Sequence, residues 1–108
     1  MKLPIEIFGD VIVAHTPEEL GAEQAEDFEE YLPTLARENI VLDIDSTETL
    51  DSRGLTAMLT AQDELRDKGG ELKIAATNSM NRKIFEITRL DQQLEVYSSV
   101  IDAVKSFH

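Results

Sequence analysis

The feature that most constrains this chain is a Gly9-Asp10 pair set between two short apolar segments. Leu3, Ile5 and Ile7 alternate with Pro4 and Glu6 on one side, and Val11-Ile12-Val13 resumes a β-branched run on the other. Alternation of period two, interrupted by residues that favour a tight turn, predicts a β-hairpin. Phe8-Gly9-Asp10 leaves no room for a helix between the first two strands, so the rest of the fold has to be built onto that hairpin.

The remainder alternates between helical and strand periods. After Thr16-Pro17, the residues Ala22, Ala25, Phe28, Leu32 and Leu35 recur at helical spacing. Pro33 predicts a kink or break in the last turn of this helix. Asn39 is read as a left-handed terminator ahead of a third strand, Ile40-Val41-Leu42-Asp43-Ile44. Leu55, Met58, Leu59 and Leu65 set a second helix running to about Lys68, stopped by Gly69-Gly70, and Leu72-Lys73-Ile74-Ala75 is the next strand. Asn78 is the expected cap of a third helix with Met80, Ile84, Phe85 and Ile87 on its apolar side. Leu94-Glu95-Val96-Tyr97 reads as a short strand, and Val100, Ala103, Val104 and Phe107 line a terminal helix. The order β-β-α-β-α-β-α-β-α, with no linker or repeat dividing it, predicts one α/β domain over residues 1–108 with a mixed sheet packed by helices. Leu42, Leu55, Met58, Leu59, Ile84 and Ile87 are expected to share one core.

Composition narrows the chemistry. With no cysteine, a disulfide scaffold, a thiol nucleophile and a thiolate zinc site are excluded. Twenty-two acidic against ten basic residues give a net charge of -12, which repels nucleic acid and anionic membranes, so neither is expected as a partner. The first residues lack a small-residue cleavage site and the apolar runs are short, so a cytoplasmic domain is expected. Glu18, Glu19, Glu23, Glu26, Asp27, Glu29 and Glu30 put a negative face on the first helix, read as solvated surface or as a steering patch for a basic partner.

Catalytic, cofactor and metal sites find little support. Asp43, Asp45 and Asp51 sit near a strand end, where a Mg²⁺ site or a phospho-accepting aspartate would lie. A receiver domain, however, needs a helix between its first two strands. Gly69-Gly70 follows a helix and precedes a strand, the reverse of a phosphate cradle. His15 is read as a strand-end surface residue without a carboxylate or serine partner nearby in the sequence. The informative stretch is Leu50-Asp51-Ser52-Arg53-Gly54-Leu55, where Ser52 is the expected N-cap of the second helix and also an accessible phosphoryl acceptor. Gly54 is read as allowing another chain close to the backbone.

Together with Ile40 to Ile44, Gly69-Gly70-Glu71-Leu72, and Ile84 to Leu90 followed by Leu94 to Tyr97, that stretch resembles the STAS domain of anti-sigma factor antagonists over nearly the whole chain. The resemblance implies a binding module and no enzyme. It implies phosphorylation of Ser52 by a partner that is both anti-sigma factor and serine kinase of the GHKL type, which releases that partner, and a PP2C-type phosphatase as a further partner. Asp51, Arg53, Gly54 and Leu55 become the partner-binding residues. Arg53 departs from the small residue usual there and is expected to be exposed in the first helical turn. The competing reading is a STAS domain that is never phosphorylated and serves as a fixed interaction subunit of a transport, lipid-trafficking or sensory complex.

Overall fold

A computed structural model describes residues 1–108. The hairpin is present: β1 (Ile5–Phe8) pairs antiparallel with β2 (Val11–His15), and Gly9 takes φ 63° in the turn between them. A two-residue strand β3 (Glu19–Leu20) leads into α1 (Ala22–Tyr31), which ends in a 3-10 turn, Leu32–Thr34, where Pro33 removes a backbone donor. Then follow β4 (Asn39–Asp43), a two-residue β5 (Thr49–Leu50), α2 (Ser52–Asp67), β6 (Glu71–Ala75), α3 (Ser79–Ile87), β7 (Glu95–Tyr97) and α4 (Val100–Lys105). The main sheet has the order β1-β2-β4-β6-β7, antiparallel only at β1, and β3 and β5 form a separate parallel ladder. Gly69, at φ 86°, supplies the left-handed residue after α2.

The two faces of the sheet are covered unequally. On one, Ala14, Ile40, Leu42, Leu72 and Ile74 pack with Ala25 and Phe28 of α1, Met58, Ala61 and Leu65 of α2, and Phe85 of α3 in one cluster of 20 buried residues. On the other, Val11, Val13, Val41 and Ala75 are covered by Ala103 of α4, with Val100, Val104 and Phe107 around it. Lys73 points to this second side and is buried. Its Nζ donates to Ser106 Oγ at 2.8 Å and to the Ser106 carbonyl at 3.3 Å, and lies 4.3 Å from the centre of the Phe107 ring.

Several expectations are corrected. Asn39 is the first residue of β4, and Arg89 is the one non-glycine with positive φ. The alternation of Ile5 and Ile7 is real, but β1 is the sheet edge and they are 40% and 55% exposed. Met80 and Ile87 are 74% and 76% exposed, because α3 turns Phe85 into the core, with Ile84 at its margin. Leu59 and Ile84 are half-buried at the margin of the main cluster, whereas Leu42, Leu55 and Met58 lie inside it. No helix is long and apolar enough to cross a membrane.

Candidate functional site on the rim at the start of α2

Parallel strands β2, β4 and β6 deliver their C-terminal ends to one rim, and the loops above them are tied together by side chains. Thr16 Oγ1 meets Thr47 Oγ1 at 2.5 Å, Thr47 Oγ1 donates to the Pro17 carbonyl at 2.5 Å, and Thr77 Oγ1 donates to Asp45 Oδ2 at 2.7 Å. Asp45 Oδ1 also accepts from the Thr77 N–H at 3.0 Å. Thus Asp45 fastens the loop after β4 to the entry of α3. Asp43, Asp45 and Asp51 each serve a different partner, and no group of three His, Cys, Asp or Glu side chains is arranged to hold a metal ion.

The cap of α2 is Asp51, which corrects the assignment to Ser52. Asp51 is extended, with φ −106° and ψ 179°, and its Oδ1 accepts from the N–H groups of Arg53 at 2.9 Å and Gly54 at 3.0 Å. Its Oδ2 also accepts from the Ala22 N–H at 3.3 Å, joining the starts of α1 and α2. Ser52 is therefore the first residue inside the helix and exposed; its carbonyl accepts from Thr56 Oγ1 at 3.0 Å, while its hydroxyl takes no part in the cap.

Gly54 and Leu55 lie beneath this rim. A Cβ on Gly54 would stand 2.1 Å from the Leu20 carbonyl oxygen, so the glycine is needed for α2 to pack against β3 in the same chain, not for access by another. Leu55, 7% exposed, belongs to the main core. The accessible part of the predicted set is Asp51, Ser52 and Arg53.

Arg53 is half-buried, not free: its Nη1 donates to Glu29 Oε1 at 2.6 Å, drawing one acidic residue of α1 against α2. That hydrogen bond raises the guanidinium pKa. Glu23, Glu26, Asp27 and Glu30 remain exposed along α1, and a shallow depression lined by Glu19, Glu23, Thr49 and Asp51 opens next to Ser52. The surroundings of the hydroxyl are therefore anionic apart from Arg53.

No carboxylate lies close to His15 in the sequence, but the fold brings two to it. Nδ1 lies 2.9 Å from Asp43 Oδ2 and Nε2 2.8 Å from Glu6 Oε1. Register explains this: His15 and Asp43 close adjacent parallel strands, and β1 brings Glu6 alongside Val13. Burial lowers the imidazole pKa, but the Glu6 hydrogen bond and the Asp43 charge and hydrogen bond outweigh it and the net shift is upward.

No curated protein matches the sequence significantly. Among solved structures, an anti-sigma factor antagonist from Mycobacterium paratuberculosis superposes with a TM-score of 0.82 at 21% identity, covering 97% of this chain and 92% of that one. The phosphorylated form of the Bacillus cell fate determinant SpoIIAA gives 0.70 at 18% identity, covering 99% and 100%. A sulfate transporter family protein from Wolinella succinogenes gives 0.76 at 13% identity, covering 94% and 87%. At these identities the likeness is one of fold. The STAS domain family model matches residues 2–103, nearly the whole described domain, and the chain belongs to the STAS domain family.

Proposed function

We propose that this STAS domain is an anti-sigma factor antagonist: it binds an anti-sigma factor that is also a GHKL-type serine kinase through the rim around Ser52, and phosphorylation of Ser52 ends the complex. A PP2C-type phosphatase restores the binding form. The observation that carries the reading is the division of labour at the start of α2. Asp51 performs the capping, so the exposed Ser52 hydroxyl is left available to a kinase.

Charge supplies the switch. A phosphate adds about -1.5 to -2 charges among Asp51, Glu19 and Glu23 in a chain of net charge -12. The helix start tolerates it, at about 0.3 to 1 kcal/mol in favour, although Asp51 already holds the Arg53 and Gly54 N–H groups. Arg53, whose Nη1 is shared with Glu29, neutralises the phosphate only in part. A partner that had closed over a neutral hydroxyl would have to bury a dianion, at about 2 to 5 kcal/mol or about 30- to several-thousand-fold in affinity.

The test is incubation with candidate kinases and ATP, with phosphate mapped by mass spectrometry, and calorimetry of variants against the kinase that responds. Ser52→Ala is expected to bind and resist phosphorylation, and Ser52→Asp to bind poorly while folded. Equal affinity of both variants sinks the switch. The second reading, a fixed interaction subunit, then stands, favoured by the fold's likeness to the transporter family protein.

A further inference from the structure

The apolar spacing that the sequence assigned to the core side of α3 is present, but it faces solvent. On a helix turning about 100° per residue, Met80, Lys83 and Ile87 fall within about 60° of one another, on the side opposite the buried Phe85. Ile84, half-buried against the main core, completes an i, i+4, i+7 series with Met80 and Ile87. This is the pattern by which one helix seats against another. Among the exposed large hydrophobic residues of the chain, Met80 and Ile87 are the two most exposed.

The charge around this stripe is opposite to that of the chain. Arg82, Lys83 and Arg89 stand against Glu86 alone between residues 79 and 89, whereas the whole chain carries -12. Arg82 is engaged with the carbonyls of Ala76 and Thr77 at 2.7 and 2.8 Å. The ion pairs of the structure hold Arg53, Arg66, Lys73 and both histidines, and leave Lys83 and Arg89 without a carboxylate. Both are exposed: Lys83 stands at the edge of the stripe, and Arg89 follows the C-terminal end of α3.

We infer that this face of α3 is a second docking surface, distinct from the Ser52 rim, and that it takes an acidic amphipathic helix of another protein. A second copy of this chain fits poorly. Antiparallel pairing of stripe on stripe would bring Lys83 against its own counterpart, and the acidic helix α1 has its apolar residues, Ala25 and Phe28, already fully buried in its own core. The partner brings apolar side chains at helical spacing to cover Met80, Ile84 and Ile87, and carboxylates to pair with Lys83 at the stripe's edge and with Arg89 past the end of α3. The inference stands whether or not Ser52 is phosphorylated.

The probe is a synthetic helical peptide of about 15 residues, with leucine at the seam positions and glutamate at the flanks, titrated into the isotopically labelled full chain by NMR. A control peptide carries lysine in place of glutamate. Amide shifts are expected at Met80, Lys83, Ile87 and Arg89, with the glutamate peptide bound about tenfold or more tightly than the lysine one. Ile87→Gln is expected to weaken binding about tenfold, and Lys83→Glu to reverse the preference between peptides, both at unchanged melting temperature. If Ile87→Gln alters the fold, Lys83→Glu decides. Shifts confined to other surfaces, no binding, or equal binding of the two peptides overturns the inference. So does broadening of α3 signals with protein concentration alone that Ile87→Gln relieves, which would give the face to a second copy.

Discussion

Replacing Asp51 by alanine separates the cap from the phosphoryl acceptor. The substitution removes a carboxylate whose Oδ1 accepts two backbone N–H groups, at 2.9 and 3.0 Å, and whose Oδ2 accepts a third at 3.3 Å. Loss of an N-cap costs about 1 kcal/mol, and loss of a negative charge at the positive end of the helix about 0.3 to 1 kcal/mol more. The Gly54 N–H lies in a buried residue and finds water poorly, so the cost belongs at the upper end; the third bond is long and exposed and adds little. Asp51→Ala is thus expected to lose about 2 kcal/mol, lowering the melting temperature by about 8 °C for a domain of this size. Asp51→Asn retains an acceptor oxygen and is expected to lose about half as much. Ser52→Ala, an exposed residue outside the cap, is expected to stay within about 0.5 kcal/mol of the parent. Thermal and urea unfolding followed by circular dichroism measure all three. If Ser52→Ala is as destabilising as Asp51→Ala, the hydroxyl is a structural group and the division of labour at this helix start is refuted.

The cluster around His15 makes stability depend on pH. Because the folded imidazole pKa lies above 6.5, its contribution is complete below pH 6.5 and declines as pH rises through the raised folded value; urea unfolding from about pH 6 to about pH 9 is expected to show this fall, and His15→Gln to remove it. Met58 is fully buried and Leu59 half-buried, so Met58→Ala is expected to cost about 2 to 5 kcal/mol and Leu59→Ala clearly less, a difference the same unfolding curves resolve.

The parts of the fold legible in the sequence are those where periodicity and punctuation agree. Gly9-Asp10 between apolar runs, Pro33 at the end of a helical face, and Gly69 after Lys68 each mark a boundary through backbone chemistry that needs no tertiary partner. Periodicity also found the stripe on α3, yet it says only that one side of a helix is apolar. Whether that side is covered depends on how the helix docks, and Phe85 decides it. Two-residue strands such as β3 and β5 are too short to leave any period.

Similar reasons govern the site. Asp51 and Ser52 are both good capping types and adjacent, so side-chain chemistry does not choose between them; the extended backbone at Asp51 does. The pair of Arg53 with Glu29 joins residues brought together only when α1 packs on α2. His15 with Asp43 was within reach, since both end strands that a parallel alignment sets side by side.

The lysine buried beneath the terminal helix bears on the order in which the molecule is completed. Val11, Val13, Val41 and Ala75 are all translated before the segment that shelters them. Until α4 packs, therefore, the reverse of the sheet is bare. Lys73 waits there without its hydrogen-bonding partner until Ser106 arrives, and the stacking of Phe107 follows. For as long as α4 is undocked, that uncovered apolar strip is where a folding chain meets chaperones or other chains.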